Sequence, residues 1–241
     1  MKTKLLRLSL AATLLCSLGA AQAGTLAMNG WLFGSGNTVS VSTPGYTGAA
    51  GGFAASLTGM TDANFNLSPL TMYCVDLAQN ININAGTNYS VKMEGEVGST
   101  TFTLLSASSH FSGAIATRLG QLVSYASDTS GAVDSAAEST ALQLAIWNTV
   151  YDGDNSLVAQ TFMESGSNSL YRTTADSLLT ASASWAVTKD LYVLSSASRQ
   201  DQLFWVDRPD NSNVPEPTSL ALVGLALGGL VLSRRRISVG A

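Results

Sequence analysis

The sequence of 241 residues has little charge, little proline and almost no cysteine or histidine. Charged side chains make up 12% of it, about half the usual share, which argues against a typical cytosolic enzyme. The same low value argues against a chain kept disordered by its charge. With 22 glycines but only 5 prolines, the composition is neither collagen-like nor proline-rich.

Metal and cofactor motifs are also missing from the sequence. One histidine and two cysteines provide no cluster with the spacing of a zinc site. No glycine-rich phosphate-binding loop follows a predicted strand. We therefore expect neither a metal ion nor a cofactor.

Basic residues are scarce between the two ends of the chain. Residues 24–213 contain six basic and fifteen acidic side chains, so this segment has a net charge of −9. A surface of that sign repels a phosphate backbone. Nucleic acid is therefore not an expected partner.

The N-terminus has the layout of a secretory signal peptide. Basic residues within the first seven positions precede an apolar run at 8–18, and the small residue Ala23 follows it. The apolar run is too short to span a bilayer stably. The pattern predicts cleavage between Ala23 and Gly24, which removes residues 1–23 and with them Cys16.

The C-terminus combines a short motif, an uncharged segment and a basic cluster, in that order. The motif is Val214, Pro215, Glu216 and Pro217, and the cluster is Arg234, Arg235 and Arg236. Between them, residues 218–233 carry no charge. As a helix this segment spans about 24 Å, slightly less than the hydrocarbon core, and the arginines would stay cytoplasmic. On the charge pattern alone, a plain C-terminal membrane anchor remains an alternative.

This order of features resembles the PEP-CTERM sorting signal of Gram-negative bacteria. The resemblance covers residues 214–236 and implies a transmembrane helix at 218–233 that holds the unprocessed protein in the inner membrane. It further implies recognition by an exosortase, processing near Pro215–Pro217, and release to the cell surface or extracellular matrix. Residues 207–213 are then a linker, and residues 237–241 a tail.

Residues 24–206 are expected to form one domain whose N-terminal half is rich in strands. Five runs have the alternation or the β-branched content of strands, namely 26–33, 37–42, 53–57, 80–84 and 89–93. The segments 185–194 and 202–206 predict closing strands. All of these are short and are separated by turn-forming residues.

Between the two groups of strands, the spacing of apolar residues becomes helical. Apolar residues at 115–123 recur with helical spacing, and residues 170–179 predict another helix. Ser135 and Glu138 form a capping box ahead of an alanine-rich run that reaches Tyr151. Strands followed by helices and then by strands predict an α+β fold with a helical insertion.

Cys74 is the one cysteine left after removal of the signal peptide. Without an intramolecular disulfide partner in an oxidising compartment, it is buried and inert, paired between chains, or chemically committed. The predicted helix after Ser135 carries Gln143 on the same face as Trp147. A buried carboxamide needs hydrogen-bond partners, and its carbon is also an electrophile that a thiolate can attack.

Two short motifs contain this cysteine and this glutamine. Tyr73-Cys74-Val75-Asp76 and Gln143-Leu144-Ala145-Ile146-Trp147 resemble the strand motif and the helix motif of the thioester domains of bacterial surface adhesins. Leu142 departs from the residue that the family has before the glutamine, and these adhesins usually carry a long stalk that is missing here. The resemblance implies an internal thioester between the Cys74 sulfur and the Gln143 side-chain carbonyl, formed with loss of ammonia.

Such a thioester would make the protein a covalent adhesion module and not a turnover enzyme. A thioester acylates amines, so the implied partner is an amine-bearing ligand on a surface or in a matrix. Ile146 and Trp147 could provide a dry pocket beside Tyr73, and Asp76 could orient the amine or be an ordinary acid at a strand end.

Three other interpretations of the sequence remain, two of Cys74 and one of residues 152–156. Cys74 could be a buried free thiol in a passive structural protein, which is the main alternative. A Cys74–His110 hydrolase is conceivable, although His110 lies in no protease-like motif and suits a surface loop better. Residues 152–156 resemble the start of a calcium loop, but Leu157 and Met163 stand where an EF-hand needs Gly and Glu, so a polar turn is favoured.

The two terminal signals predict the ends of the processed protein. N-terminal sequencing and intact mass of the exported form should give Gly24 as the first residue and a C-terminus near Pro217. The reason is that a signal peptidase and an exosortase would each remove one end. An exported protein that keeps Arg234–Arg236, in a host with a working exosortase, would contradict the sorting hypothesis.

Overall fold

The computed structural model describes residues 23–209, apart from 155, 159, 160 and 167. The predicted signal peptide up to residue 22, the sorting motif and the predicted helix at 218–233 lie outside the described residues. The chain divides into two compact units, Met1–Val206 and Asp207–Ala241. The elements below belong to the first unit, except that Asp207, the last residue of the final strand, is assigned to the second. Within the described residues, no helix has the length and apolar character needed to cross a membrane.

The described region contains ten strands and four helices. The strands are β1 (Gly24–Trp31), β2 (Asn37–Thr43), β3 (Tyr46–Ala50), β4 (Phe53–Thr58), β5 (Leu67–Cys74), β6 (Asn88–Met93), β7 (Phe102–Ser106), β8 (Met163–Glu164), β9 (Lys189–Ser195) and β10 (Gln202–Asp207). The helices are α1 (Ala107–His110), α2 (Gly113–Asp128), α3 (Ala136–Tyr151) and α4 (Ser169–Ser182).

Seven of these strands close into a barrel in the order β1-β4-β5-β10-β9-β7-β6. Neighbours pair antiparallel where their register is defined, except that β6 and β7 run parallel. Buried side chains lie opposite one another across the ladders, as in the pairs Leu26↔Leu57 and Phe53↔Met72. These cross-strand pairs fix the register, because a slip of one residue would turn the apolar set to the other face. A second sheet has the order β3-β2-β8.

Helix α3 is buried along most of its length. Every residue from Ser139 to Thr149 is buried, because the helix packs against β5 of the barrel, the small sheet, α2 and α4. Its start is fixed by the predicted capping box. The Ser135 hydroxyl accepts from the Glu138 N–H at 3.3 Å, and the Glu138 carboxylate accepts from the Asp134 N–H at 2.9 Å. This cap sets the register of α3, and so the position of Gln143.

The predicted mixed, β-rich fold and most of its predicted elements are confirmed. The main error is residues 80–84, whose strict alternation predicted a strand but which form a loop. Ile81 and Ile83 are half-buried as expected, but the backbone of Asn82 bonds to the Tyr89 hydroxyl through both its N–H and its carbonyl, at 3.0 and 2.9 Å. Alternating burial therefore arises here without a strand ladder.

Other differences concern elements that the sequence pattern did not indicate. The strands β3, β7 and β8 were not predicted, and within β5 a strand was expected only at Tyr73 and Cys74, from the resemblance of the motif. Strand β9 begins at Lys189, four residues later than expected. His110, expected in a surface loop, is the last residue of the four-residue helix α1. The strands β3 and β7 and the helix α1 are short, and their apolar content is too low to distinguish them from the surrounding turns.

The capping box leads to a stability prediction. Ser135→Ala should lower the free energy of unfolding by about 1 kcal/mol, because the first turn of α3 loses a side-chain acceptor. Hydrogen bonding, first of all from the Asp134 N–H, holds the pKa of Glu138 below its ordinary value. The stability that the ionised Glu138 side chain provides is therefore fully present above its ordinary pKa, and it is lost as the pH falls through the lowered pKa of the folded protein.

Urea titration at neutral and acidic pH would measure both effects. Ser177→Ala is a suitable control, because Ser177 is exposed within α4 and its hydroxyl bonds only to the Thr173 carbonyl of the same helix. Alanine there should leave stability unchanged or slightly higher. Equal losses for the two variants would contradict the assigned role of Ser135.

Candidate functional site

Cys74 ends strand β5, and its neighbour across the ladder is Gln202, the first residue of β10. The side chain is buried, as are those of the flanking residues Tyr73 and Val75. The described region contains no disulfide to this cysteine, which is a free thiol. The sheet therefore places a single thiol at the point where β5 ends and a loop begins.

The carboxamide of Gln143 lies directly on the backbone of Cys74. Its Oε1 accepts from the Cys74 N–H at 2.9 Å, and its Nε2 donates to the Cys74 carbonyl at 2.7 Å. Gln143 is fully buried in the middle of α3, so these two bonds satisfy an amide that burial would otherwise penalise. The two residues singled out in the sequence, 69 positions apart, are therefore neighbours in the fold.

The sulfur of Cys74 has a second carboxamide as its neighbour. Gln202 Nε2 lies 3.4 Å from Cys74 Sγ, and Gln202 Oε1 lies 3.7 Å from it. Burial raises the pKa of the Cys74 thiol above its ordinary value, the hydrogen bond with Gln202 opposes that shift, and the negative charge of Asp76 adds to it. The free thiol is accordingly protonated at neutral pH.

A cavity of about 200 Å³ opens beside the cysteine and the glutamine. The residues that line it are Trp31, Tyr46, Ala49, Ala50, Phe53, Cys74, Asn80, Ile81, Ile83, Gln143, Trp147 and Gln200. Aromatic and aliphatic side chains dominate the wall, and no charged side chain is among these described lining residues. The thiol and the carboxamide therefore face an uncharged space whose wall combines apolar side chains with amide groups, and which a small molecule or one side chain could fill.

Trp147 forms part of this wall one turn along α3 from Gln143. Its side chain is only 1% exposed, and its ring packs edge-on against Tyr46 with centroids 5.3 Å apart. The indole N–H is buried and has no hydrogen-bond partner among the residues that the structure describes. Ile146, the other apolar residue predicted to support a pocket, is fully buried in the core but is not one of the cavity's lining residues.

Tyr73 supports the site from the neighbouring position of β5. Its hydroxyl lies 3.1 Å from the Ser139 hydroxyl on α3, and Ser139 Oγ in turn accepts from the Gly52 N–H at 2.7 Å. Burial raises the pKa of Tyr73 to about 12, against a smaller lowering by the bond with Ser139. A Cβ at Gly52 would lie 2.7 Å from the Tyr73 ring, so a larger residue there would displace the ring from its place beside Ser139. Tyr73 thus ties β5 to α3 next to the Cys74–Gln143 contact.

Asp76 organises the loop that follows Cys74. Its carboxylate accepts from the backbone N–H groups of Ala78, Gln79 and Asp201 at 3.1, 3.2 and 2.5 Å. The Val75 N–H also donates to the Asp201 carbonyl at 3.0 Å. Asp76 therefore joins the end of β5 to the segment before β10, which corresponds to the ordinary strand-end acid of the two roles considered for it.

His110 has contacts that differ from those of a catalytic base for Cys74. Its Nε2 lies 3.5 Å from the Asp201 carboxylate, and its ring packs against Phe111. Within residues 23–209 as described, no hydrogen bond joins His110 to Cys74. Burial, the main cause, raises the pKa of Asp201 above its ordinary value. The hydrolase hypothesis therefore gains no support from the geometry.

The turn after α3 satisfies its own carboxylates. Asp152 accepts from the N–H groups of Thr161 and Phe162, and Asp154 accepts from the Ser156 N–H and the Asn148 amide. In the described part of the chain, no group of three or more potential metal-ligating side chains occurs. The turn interpretation therefore fits this segment better than a calcium loop.

Several residues of the site were not identified from the sequence. Gln202 and Gln200 reach it because β10 pairs with β5, a contact between positions more than 120 residues apart. Tyr46 and Trp31 come from the region of the small sheet and the first barrel strand. The one available signal was Gln202, a polar residue at the first position of an otherwise apolar predicted strand.

Comparison with known proteins identifies the C-terminal segment. The PEP-CTERM protein-sorting motif matches residues 213–236. No curated protein and no solved structure gave a match to the chain. The motif makes this an exported, surface-associated protein whose processing partner is an exosortase.

Proposed function

We propose that the exported domain is a covalent binding module whose Cys74 and Gln143 side chains join in an internal thioester that acylates amines. The observation that carries the proposal is the fully buried Gln143 carboxamide, held by two hydrogen bonds on the backbone of Cys74 at the wall of an uncharged cavity. The resemblance of both motifs to the thioester domains of surface adhesins supports the same pairing. Export to the surface is compatible with this proposal, because a module there would be accessible to amines outside the cell.

Thioester formation needs one bond to form and one to break. The Cys74 sulfur attacks Cδ of Gln143, and Nε2 leaves as ammonia after taking up the thiol proton. The Cys74 backbone N–H already donates to Gln143 Oε1, where negative charge develops in the tetrahedral intermediate. One residue would therefore provide both the nucleophile and a donor for the oxyanion.

The reaction with an external amine reverses the roles of the two groups. The amine nitrogen attacks Cδ of Gln143, the C–S bond breaks, and Cys74 returns to a thiol while a stable amide remains. Trp147 and the other apolar lining residues would keep water away from the thioester until an amine enters. Because the amide product does not revert, the module acts once.

The lysines of the exported segment are engaged elsewhere. Lys189 forms an ion pair with Asp128 at 2.8 Å, and the Lys92 ammonium donates to the Gly98 carbonyl. Neither lysine is among the residues that line the cavity. The domain's own side-chain amines therefore do not compete with an external one in this structure.

A passive structural protein is the second candidate, and two observations favour it. Both polar ends of the Gln143 carboxamide already have partners on Cys74, so the amide is satisfied without any covalent bond. Burial also raises the pKa of the Cys74 thiol, which lowers its nucleophilicity. Intact mass separates the two candidates.

A thioester predicts a specific mass and a specific reactivity. The purified domain should be lighter than its sequence mass by one ammonia and should resist thiol alkylation when unfolded rapidly at mild pH. Methylamine should then release one free thiol and add to Gln143 as an amide. Mass spectrometry with peptide mapping would measure all three signals. A full sequence mass with a freely alkylated Cys74 would favour the passive protein.

Variants at the two bonded residues provide the controls. Cys74→Ala and Gln143→Glu should each abolish the mass deficit and the methylamine reaction, because one lacks the sulfur and the other lacks the leaving amine. Cys74→Ala should also lose about 2–4 kcal/mol of stability, by analogy with a disulfide, since it removes a cross-link between distant positions. A mass deficit that persists in either variant would place the bond elsewhere.

Trp147 and His110 provide a second prediction. Trp147→Ala should cost about 3–5 kcal/mol of stability, because it removes a large buried side chain, and should speed hydrolysis of the thioester by opening the cavity to water. His110→Ala should leave both stability and thioester content nearly unchanged. Urea titration and the time course of free-thiol release would measure these effects. Loss of amine reactivity in a well-folded His110→Ala protein would instead favour a catalytic dyad.

A further inference from the structure

Gln202 is buried at the Cys74 sulfur, and the structure fixes which end of its carboxamide faces which group. Its Nε2 donates to the Gln200 carbonyl at 3.0 Å, and a backbone carbonyl can only accept. The amide nitrogen therefore lies on that side, and its second N–H is available to Cys74 Sγ at 3.4 Å. The side chain is fully buried, so this arrangement is not exchanged for contacts with water.

Gln202 is the side chain that bonds to the sulfur in the part of the chain that the structure describes. In the described residues, its hydrogen bonds are those with Gln202, and the cavity beside it has no positively charged lining residue. A thiolate formed in such surroundings lacks the hydration it would have in water, so a single N–H donor has a large effect. The one donor in place is Gln202 Nε2.

We propose that Gln202 is a catalytic residue of this site, whose side-chain N–H stabilises the Cys74 sulfur while it carries negative charge. The inference rests on the proposed thioester. When an amine attacks Cδ of Gln143, the electron pair of the C–S bond passes to Sγ, and Gln202 Nε2 donates to it. The proton of the attacking nitrogen then neutralises the sulfur, and Gln202 Oε1, 3.7 Å from Sγ, accepts from the new thiol.

Gln202 and the Cys74 backbone N–H would then each stabilise one of the two atoms on which negative charge develops. The Cys74 N–H stabilises the oxygen of the tetrahedral intermediate, and Gln202 stabilises the sulfur that leaves. The loss of Gln202 should consequently slow the opening of a thioester that is otherwise intact. This expectation separates a catalytic role from one in packing alone.

Two Gln202 variants test the role in the full exported domain. Gln202→Met keeps the length of the side chain but has no donor, and Gln202→Glu keeps its shape but places a negative charge at the sulfur. Asn148→Leu is the matched control, because Asn148 is also a buried carboxamide but its amide donates to Asp154 and Ser156. Intact mass measures thioester content, and free-thiol release by hydroxylamine measures the opening rate.

The wild type and Asn148→Leu should open at similar rates. Gln202→Met should open roughly 10- to 100-fold more slowly, the effect of losing one hydrogen bond to a charged group. In Gln202→Glu the rate, corrected for the uncharged fraction of hydroxylamine, should fall as the pH rises and the carboxyl ionises. The corrected wild-type rate should not fall. A purely structural role would produce no such pH dependence.

The remaining outcomes distinguish a failure of this inference from a failure of the thioester proposal. Full sequence mass in the wild type overturns both. A wild type with the mass deficit and a Gln202→Met protein that opens at the wild-type rate overturn only the role of Gln202. A folded Gln202→Met protein with full mass supports the role, since thioester formation also requires the sulfur to give up its proton. Unfolding of both Gln202 variants while Asn148→Leu folds overturns it.

Discussion

The buried contact between the Gln143 carboxamide and the Cys74 backbone is the constraint on which the site depends. A primary amide in an apolar helix costs a few kcal/mol when unpaired, and here both of its ends are paired. The strand end must therefore stay in register with the middle of α3. An apolar residue of the same size at position 143 would not require this register. The polar contact therefore adds a constraint on the position of α3 that apolar packing alone does not impose.

The rest of the structure holds the two sides of that contact together. On the helix side, the Ser135 cap and the burial of residues 139–149 fix the rotation and register of α3. On the strand side, Asp76 accepts from the Asp201 N–H, so the segments around Cys74 and Gln202 are joined where β5 and β10 begin to pair. Cys74 thus contacts two carboxamides from different elements, that of Gln143 through its backbone and that of Gln202 through its sulfur.

The sequence predicted the local parts of this arrangement better than the long-range ones. Ser135 and Glu138 define the start of α3 through contacts three residues apart, which a local pattern can reveal. Gln202 could not be assigned, because its position beside Cys74 depends on which strands pair in the closed barrel. Residues 80–84 show that a local pattern can also mislead. Their alternation results from burial against the cavity and from the bonds of Asn82 to the Tyr89 hydroxyl, and not from a strand ladder. The Cys74–Gln143 contact was predicted from a resemblance between motifs, and the periodicity of the chain alone did not indicate it.

Charge separates the surface of this protein from its site. The segment 24–213 has a net charge of −9, which attracts cations, whereas the described residues that line the cavity carry no charge. A protonated amine would therefore be drawn to the protein but would have to give up its proton before it entered the uncharged cavity beside Cys74. With no acid in that wall to hold an ammonium, the uncharged amine is the form that fits. If the proposed thioester forms, selection against charged groups follows from the composition of the cavity wall, without a dedicated recognition residue.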